Sequence, residues 1–325
     1  MSSLGYNKIE FKTQINSFSN AQSVDLEIKI CYNVNTELKI GATDVNMGLR
    51  FKIDQKWAKK TVKELLLGSG ISVTLLKKVK FGGILLNGNV VTVRAILSVG
   101  DEVLVVTPEE KSEGIPPMDI PLKIAYEDEY ILVVDKPKNM PTHPSKGNNL
   151  PTLANAVMWH YGGNFVFRSI NRLDRDTSGL VIIGKNQLVA GKLSESMKRG
   201  EFRKFYECIV EGVPTPSAGL IDEPIERECE GSIKRVVRED GKKALTEYTV
   251  IETFENASKC LVRLHTGRTH QIRVHMAHIG HPLVGDFLYG NKDSGDFHLR
   301  CIKIDFPHPI TKESLSISAS DSNQD

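Results

Sequence analysis

The sequence predicts an α+β protein with two domains, and three observations lead to this prediction. Its 325 residues exceed the roughly 150 that are typical of one domain. Strand-like and helix-like apolar patterns are mixed along the chain, without the regular strand–helix–strand alternation of a doubly wound sheet. Basic residues are concentrated in residues 50–107, which hold ten Lys/Arg against four Asp/Glu. We therefore expect a small basic domain beside a larger neutral one.

Composition excludes several classes of protein. The chain is 40% hydrophobic and 25% charged, which is typical of a globular protein with a substantial core. It has no apolar run of the length that a membrane span needs and no secretory signal pattern. Five scattered cysteines without a Cys-x-x-Cys pair favour reduced thiols over a disulfide framework or a zinc site. The predicted location is the cytoplasm, with no membrane association.

The first 46 residues are interpreted as an N-terminal extension, either native or an upstream start-site artefact. Alternation of apolar and charged residues from Val24 to Ile30 predicts a strand within it. Met47 begins a stretch that is typical of a domain start, which sets the first domain at 47–107.

Residues 47–107 carry the patterns of two helices and several strands. Apolar positions from Trp57 to Leu67 predict a first helix that ends at Gly68-Ser69-Gly70, and Val73 to Val79 predicts a second. Ile84 to Val90 reads as a strand, an Asn-Gly turn and a strand, and the stretch beginning at Gly100 predicts another strand.

This order resembles the alpha-L RNA-binding module found in ribosomal small-subunit protein four and in many RNA-modifying enzymes. The resemblance rests on the basic second helix, the Asn-Gly hairpin and the last strand; a generic small α+β unit is the alternative. It implies that Lys77, Lys78 and Lys80 contact RNA phosphates, which gives salt-sensitive affinity with little sequence discrimination.

Residues 108–119 are acidic and contain prolines, so they are predicted to be a linker to a second domain at 120–325. In that domain, short apolar runs predict strands and a four-residue apolar period predicts helices. Predicted strands are 131–134, 180–183, 206–210, 246–254 and 260–265, and predicted helices begin after Thr152 and near Val189.

Asp174 lies in a loop that also holds Arg172, Arg175 and Asp176, directly before turn residues and a buried strand. Carboxylates beside arginines are usually structural ion pairs. An aspartate kept ionised by a neighbouring guanidinium is also what a nucleophilic carboxylate requires. The residues of the loop alone leave both interpretations open.

The wider sequence around this loop resembles one family. The stretch NRLDRDTSGLVI, residues 171–182, is similar to the signature of the RluA/RluD-type pseudouridine synthases, whose usual form is His-Arg-Leu-Asp-x-x-Thr-Ser-Gly-Leu. Further matching motifs follow the family's order over roughly 120–310: 135–137 with 143–144, 204–206, 241–248, 266–275 and 285–286. Asn171 replaces the usual His, and Leu299-Arg300-Cys301 stands where the family tends to have Leu-His-Ala.

The resemblance implies a catalytic domain with a mixed, mainly antiparallel sheet and flanking helices. It implies an RNA uridine isomerase with Asp174 as the catalytic carboxylate, Tyr206 against the target base and Arg268 paired with Asp174. Asp174 would attack C1′ or remove the C2′ proton, a choice that the sequence leaves open. Because the reaction has no net redox change and no leaving group, it requires no cofactor.

Arg268 precedes a stretch with helix signals. Thr269 is predicted to cap a helix whose apolar positions are Ile272, Met276 and Ile279, and Gly280 would end it. Alternation at 272, 274 and 276 would also allow a strand, but the cap signals favour the helix. The positive end of that helix would favour an anion near Arg268.

The remaining candidates concern RNA and metals. Arg172 is predicted to position the signature loop or to contact a phosphate, and a basic stretch that includes Lys242 and Lys243 to grip displaced RNA or merely to aid solubility. Five histidines between 265 and 281 lack metal-ligand spacing, so no metal is expected. The added RNA-binding domain favours large-subunit ribosomal RNA over transfer RNA as the partner, and no protein partner is implied.

Two other functions fit the residues less well. A binding-only RNA protein would not need Asp174, Tyr206 and Arg268 together. A carboxylate-dependent glycosidase needs two flanking carboxylates, and only Asp176 lies nearby in the sequence.

Overall fold

The computed structural model describes residues 49–71, 73–106, 114–145, 151–291, 293 and 295–320, together with the backbone of three N-terminal strands. These strands, β1 (Phe11–Thr13), β2 (Leu26–Tyr32) and β3 (Thr36–Ile40), form an antiparallel sheet in that order. Strand β2 overlaps the strand predicted from the alternation, although Val24 itself lies outside the described residues. The chain divides into two compact units, Met1–Glu109 and Glu110–Asp325.

The described part of the first unit from residue 49 onward is a four-stranded antiparallel sheet with two short helices. Its strands are β4 (Leu49–Lys52), β5 (Ile84–Leu86), β6 (Asn89–Val90) and β7 (Glu102–Val105), in the order β4-β7-β5-β6. Its helices are α1 (Val62–Gly68) and α2 (Val73–Val79).

Local sequence signals explain these elements. Thr61 and Glu64 form a capping box at the start of α1, with each side chain bonded to the other residue's backbone N–H. Asn87 and Gly88 have φ values of 50° and 81°, the left-handed geometry that a two-residue hairpin turn requires. Both helices and the hairpin lie where the sequence predicts them, except that Trp57 precedes α1.

The second unit is built on one large mixed sheet. Among the described residues it has nine strands, in the order β12-β15-β16-β11-β17-β10-β9-β8, with β18 beside β17. All described pairs in this sheet are antiparallel except β10 with β17. The strands are β8 (Ile124–Glu127), β9 (Ile131–Lys136), β10 (Ser178–Gly184), β11 (Arg203–Glu211), β12 (Ala218–Asp222), β15 (Leu245–Thr253), β16 (Ala257–Leu264), β17 (Leu299–Pro307) and β18 (Ser314–Ser318).

Three helices and a hairpin accompany this sheet. The helices are α3 (Leu153–His160), α4 (Gln187–Lys198) and α5 (Gln271–His278), and the hairpin consists of β13 (Ile225–Arg227) and β14 (Arg235–Val237). Thr152 caps α3 and Asn186 caps α4 through side-chain oxygens that accept from the first turn. Among the described residues, no helix has the length and apolar character that crossing a bilayer would take.

The core lies around the centre of this sheet. Every residue of β9 and β10 is buried, because both faces of these strands are covered, whereas β11 and β16 alternate between buried and partly exposed positions. Helix α4 packs against β10, and its residues Val189 and Leu193 are fully buried. The mixed, mainly antiparallel sheet with flanking helices confirms the α+β prediction.

Candidate active site

A cleft of about 430 Å³ opens in the second unit. Most of its lining comes from three segments: the loop at 169–174 with Thr177, the first residues of β11, and the segment from 267 into α5. The structure therefore brings together Asp174, Tyr206 and Arg268, three residues far apart in the sequence that were the predicted catalytic set. The volume of the cleft is within the range of small-molecule and cofactor sites.

Asp174 presents a partly buried carboxylate to the cleft, with 23% of its side chain exposed. Two basic groups approach it. Arg172 Nη2 lies 3.7 Å from Oδ1, and His270 Nε2 lies 3.9 Å from Oδ2. Because the Arg172 side chain is 68% exposed, solvent screens its contribution.

The backbone of the Asp174 loop is held on both sides. Thr142 Oγ1 donates to the Leu173 carbonyl at 2.8 Å and accepts from the Leu173 N–H at 3.2 Å. Asp174 O accepts from Thr177 N at 3.1 Å, which closes a turn. These bonds fix the direction in which Asp174 leaves the chain.

Lys136 also stabilises the loop that holds Asp174. Its fully buried ammonium donates to the carbonyls of Pro137, Met140 and Arg175. Burial lowers the pKa of Lys136 to about 8, although the charges of Asp174 and Asp176 oppose this change. Through these bonds, Lys136 links the end of β9 to the loop that holds Asp174.

Asn171, which replaces the family's usual histidine, ties the loop to β10. Its Nδ2 donates to the Leu180 carbonyl at 3.0 Å, and its Oδ1 accepts from the Ile182 N–H at 2.9 Å. A side-chain amide supplies both the donor and the acceptor that this position needs.

Asp176, the second carboxylate that a glycosidase would require, is engaged elsewhere. Arg175 donates to both of its oxygens, at 2.8 and 3.1 Å, and the cleft lining includes Asp174 and Thr177 but not Asp176. The geometry therefore does not present the pair of flanking carboxylates that a glycosidase uses.

Tyr206 lines the cleft from β11 and is 5% exposed. Burial raises the pKa of Tyr206 well above its ordinary value, and a hydrogen bond with the Cys301 side chain adds to this effect. The phenol therefore remains protonated at neutral pH. It can offer its ring as a surface and its hydroxyl as a donor, but it cannot serve as a phenolate base.

The expected pairing of Arg268 with Asp174 is wrong in this structure. Arg268 lies at the cleft, but its Nε donates to the Lys243 carbonyl at 2.9 Å, and the basic side chains described within 4 Å of the Asp174 carboxylate are Arg172 and His270. This bond joins the guanidinium to a residue that directly precedes the region of β15 in the sequence.

The predicted Thr269 cap of α5 is also wrong, although the helix itself is confirmed. His270 occupies the cap position in a left-handed conformation, with φ 58°, and makes no side-chain cap bond. Gln271 fixes the turn instead: its Oε1 accepts from Thr266 Oγ1 and Arg268 N, and its Nε2 donates to the Leu245 carbonyl.

Arg273 is a site residue that the sequence analysis missed. It lines the cleft from α5 and forms a buried ion pair with Asp286. Burial disfavours its charge, but the Asp286 bonds and the nearby charge of Asp174 outweigh this and raise the pKa of Arg273. The sequence did contain a signal for this residue. Arg273 lies three residues before Met276, on the apolar side of the predicted helix, and a cation buried there needs an anion as its partner.

Arg300 also acquires a role that the sequence left open. In the motif that departs from Leu-His-Ala, Arg300 Nη2 donates to Asp135 Oδ2 at 2.6 Å across β10. Cys301 is fully buried and faces Gly179 in the parallel pair of β10 with β17.

The predicted RNA contacts fall into two groups. Lys77, Lys78 and Lys80 are exposed on and just after α2 in the first unit. Lys242 and Lys243 are exposed just before β15 in the second unit. Within the described ranges, no cluster of three or more His, Cys, Asp or Glu side chains could hold a metal.

Comparison with known proteins identifies relatives over most of the chain. The profile of the family described as RNA pseudouridylate synthase matches residues 130–278. RNA pseudouridine synthase YjbO of Bacillus subtilis (strain 168) is 39% identical, over 80% of this chain and 94% of that protein. Ribosomal large subunit pseudouridine synthase D of Pasteurella multocida is 38% identical, over 70% of this chain and 76% of that protein.

Solved structures agree with this similarity. The structure of Human RNA Pseudouridylate Synthase Domain Containing 1 matches with a TM-score of 0.54 and 27% sequence identity. The match covers 63% of this chain and 86% of that chain.

Proposed function

The chain belongs to the RluA/RluD-type family of RNA pseudouridine synthases and is therefore an isomerase, and we propose that it converts a uridine of large-subunit ribosomal RNA to pseudouridine through Asp174. One observation carries the catalytic part of this proposal. Asp174 is a partly buried carboxylate, held by a fixed loop, that shares its cleft with Tyr206, His270 and Arg273.

The reaction explains why such a carboxylate is needed. The N1–C1′ bond of uridine breaks, the uracil turns, C5 bonds to C1′, and the proton on C5 is finally lost while N1 gains one. Asp174 would begin this sequence by attacking C1′ or by removing the proton at C2′. Both routes return the carboxylate unchanged, so neither consumes an oxidant, a reductant or a second substrate.

The surrounding residues support this role. Arg172 and Arg273 line the same cleft as Asp174 and carry the charge opposite to that of a carboxylate. The ring of Tyr206 provides a flat apolar surface on which a uracil can stack, and its protonated hydroxyl is a donor. A uridine in folded RNA must leave its stack to reach the cleft, at a cost of a few kcal/mol.

The choice of ribosomal RNA rests on the relatives. The name of the Pasteurella multocida protein specifies the large ribosomal subunit. The exposed lysines of the first unit fit a phosphate-binding surface that would add affinity for a large folded RNA. Transfer RNA is the alternative target.

The test maps pseudouridine across all RNAs in cells that carry the wild-type gene, a deletion, Asp174→Asn or Asp222→Asn. Asp222 is an exposed carboxylate of β12 and serves as a matched control. We expect a large-subunit site that is present with the wild type and the control and absent from the other two. Loss of a transfer RNA site instead would overturn the choice of substrate, and an active Asp174→Asn enzyme would overturn the role of Asp174.

A further inference from the structure

His270 occupies a restricted position between the Asp174 carboxylate and the aromatic side chain of Tyr289. Its Nε2 lies 3.9 Å from Asp174 Oδ2, and its Nδ1 lies 2.8 Å from the Tyr289 hydroxyl. The side chain is only 13% exposed, and the two rings meet edge to face. A left-handed φ of 58° is uncommon for histidine, so the turn holds this residue in a conformation that it rarely adopts.

The hydrogen bonds around Tyr289 allow its hydroxyl to donate to His270 Nδ1. The backbone N–H of Arg235, in the hairpin β13–β14, donates to the Tyr289 hydroxyl oxygen at 2.8 Å. Burial raises the pKa of Tyr289 to about 12, so its hydroxyl keeps its proton. That proton is available to His270 Nδ1. A neutral imidazole that accepts at Nδ1 carries its own proton on Nε2, the nitrogen that faces Asp174.

Burial favours the neutral form of the His270 ring, and the charges around the ring act in both directions. Burial lowers the pKa of His270, the charge of Asp174 opposes this, Arg273 and Arg235 lower it further, and Asp286 raises it. Together with Tyr289, these are the titratable and charged groups that face the ring in the structure. The balance leaves a neutral donor, rather than a second cation, beside the carboxylate.

We propose that His270 is a positioning residue for the reaction, and that the bonds from Arg235 through Tyr289 hold its Nε2–H towards the carboxylate of Asp174. From 3.9 Å the Nε2–H dipole then faces Oδ2, where it favours negative charge. This series of hydrogen bonds begins at the backbone of the β13–β14 hairpin. The orientation of Asp174 therefore also depends on the position of that hairpin. This inference rests on the proposal that Asp174 is the catalytic carboxylate.

The tautomer of His270 can be measured on the full-length free enzyme without any activity assay. Long-range 1H–15N NMR of the histidine rings, assigned with His270→Gln, distinguishes a proton on Nε2 from one on Nδ1 or on both. We expect the Nε2–H form at pH 7.5 and its loss or mixing with the other form in Tyr289→Phe. An Nδ1–H ring or an imidazolium in the wild type would overturn the proposal.

Single-turnover kinetics test the effect on the reaction. We expect His270→Gln to slow conversion at saturating RNA about ten- to hundredfold and Tyr289→Phe about tenfold, with KM unchanged within about twofold. Loss of the donor makes the ionised carboxylate less stable, so the low-pH limb of the rate profile should move to higher pH in both variants. If His270 and Tyr289 acted only through the stability of the fold, the substitutions would lower the rate at every pH without shifting the pH at which the rate falls.

Two further variants serve as controls for these measurements. His298→Gln changes a histidine that is bonded to Glu207 outside the cleft, and it should leave rate and profile unchanged. His270→Asn tolerates the left-handed conformation, so it provides a folded variant if His270→Gln unfolds. If Asp174→Asn is inactive while His270→Gln and His270→Asn keep the wild-type profile, this inference fails and the proposed function stands. If Asp174→Asn is active, the proposed function fails.

Discussion

Arg273 and Asp286 form a buried bidentate ion pair at the base of the cleft. Arg273 Nε donates to Oδ2 at 2.7 Å and Nη2 to Oδ1 at 2.6 Å, and Asp286 has no exposed surface. Asp286 Oδ1 also accepts from the N–H groups of Leu288 and Tyr289, and the Arg273 guanidinium lies 5.0 Å from the Tyr289 ring centroid. One carboxylate thus holds both a cleft arginine and the segment that bonds to His270.

Asp286→Asn removes the anion of this pair and leaves the buried guanidinium without its bidentate partner. We expect the free energy of unfolding to fall by about 3–5 kcal/mol, measured by urea denaturation. Glu201→Gln removes one partner of an exposed pair with Arg199 and should change stability far less, because water screens that pair. Equal effects of the two substitutions would contradict this account of the buried pair.

Gly179→Ala should disrupt the parallel pairing of β10 with β17. Gly179 has a φ of +107°, and an added Cβ would lie 2.2 Å from the Cys301 carbonyl oxygen and 2.6 Å from its nitrogen. We expect the free energy of unfolding to fall by about 3 kcal/mol or more. Gly191→Ala is the control, because it lies in α4 with no atom within 4 Å of the new Cβ. It should stabilise the helix by about 0.5–1 kcal/mol, and an unaffected Gly179→Ala protein would refute the clash.

The Cys301 thiol should resist alkylation in the native protein. Burial raises the pKa of Cys301 to about 12, so roughly one molecule in ten thousand is a thiolate at pH 8 and one in a hundred at pH 10. In a Cys31→Ser background, iodoacetamide at pH 8 should label exposed Cys229 first and Cys301 only after denaturation. Peptide mass spectrometry reads each site. Labelling of native Cys301 at a rate similar to that of Cys229 would show that the thiol is accessible.

The lysines of α2 should control the salt dependence of RNA binding. Replacing Lys77, Lys78 and Lys80 by alanine is expected to weaken binding and to reduce the slope of log K against log salt by about 0.7–0.9 for each phosphate that is no longer neutralised. The rate at saturating RNA should not change. The matched control replaces Lys52, Lys63 and Arg94, three other exposed basic residues of the same unit. An equal reduction of the slope in both triple variants would indicate diffuse charge attraction instead of a binding surface.

Local signals in the sequence were sufficient for most of the secondary structure. Helix α2 spans Val73–Val79 as predicted, and the Asn87-Gly88 turn forms the expected hairpin. The buried runs of β9 and β10 were also readable, because strands covered on both faces are apolar at nearly every position. These features depend on residues that are close together in the chain.

The start of α5 shows where local reasoning failed. Thr269 is a good cap residue by type, yet His270 occupies the cap and Gln271 satisfies the turn through Thr266 and Leu245. The choice was made by partners on β15 and in the turn before the helix, and no pattern within 269–280 records them. The same reason explains Arg268, whose partner is the Lys243 carbonyl.

The sequence by itself determined the family, the α+β fold and the carboxylate to test, because motifs in a fixed order identify relatives and short apolar patterns determine helices and strands. Only the tertiary structure decided which basic side chains lie near the Asp174 carboxylate. It placed His270 near the carboxylate, buried Arg273 against Asp286, and bonded Arg268, which also lines the cleft, to the Lys243 carbonyl. Side-chain partners of this kind lie more than ten residues apart in the sequence, so their choice depends on packing and desolvation in the folded chain and not on spacing along it.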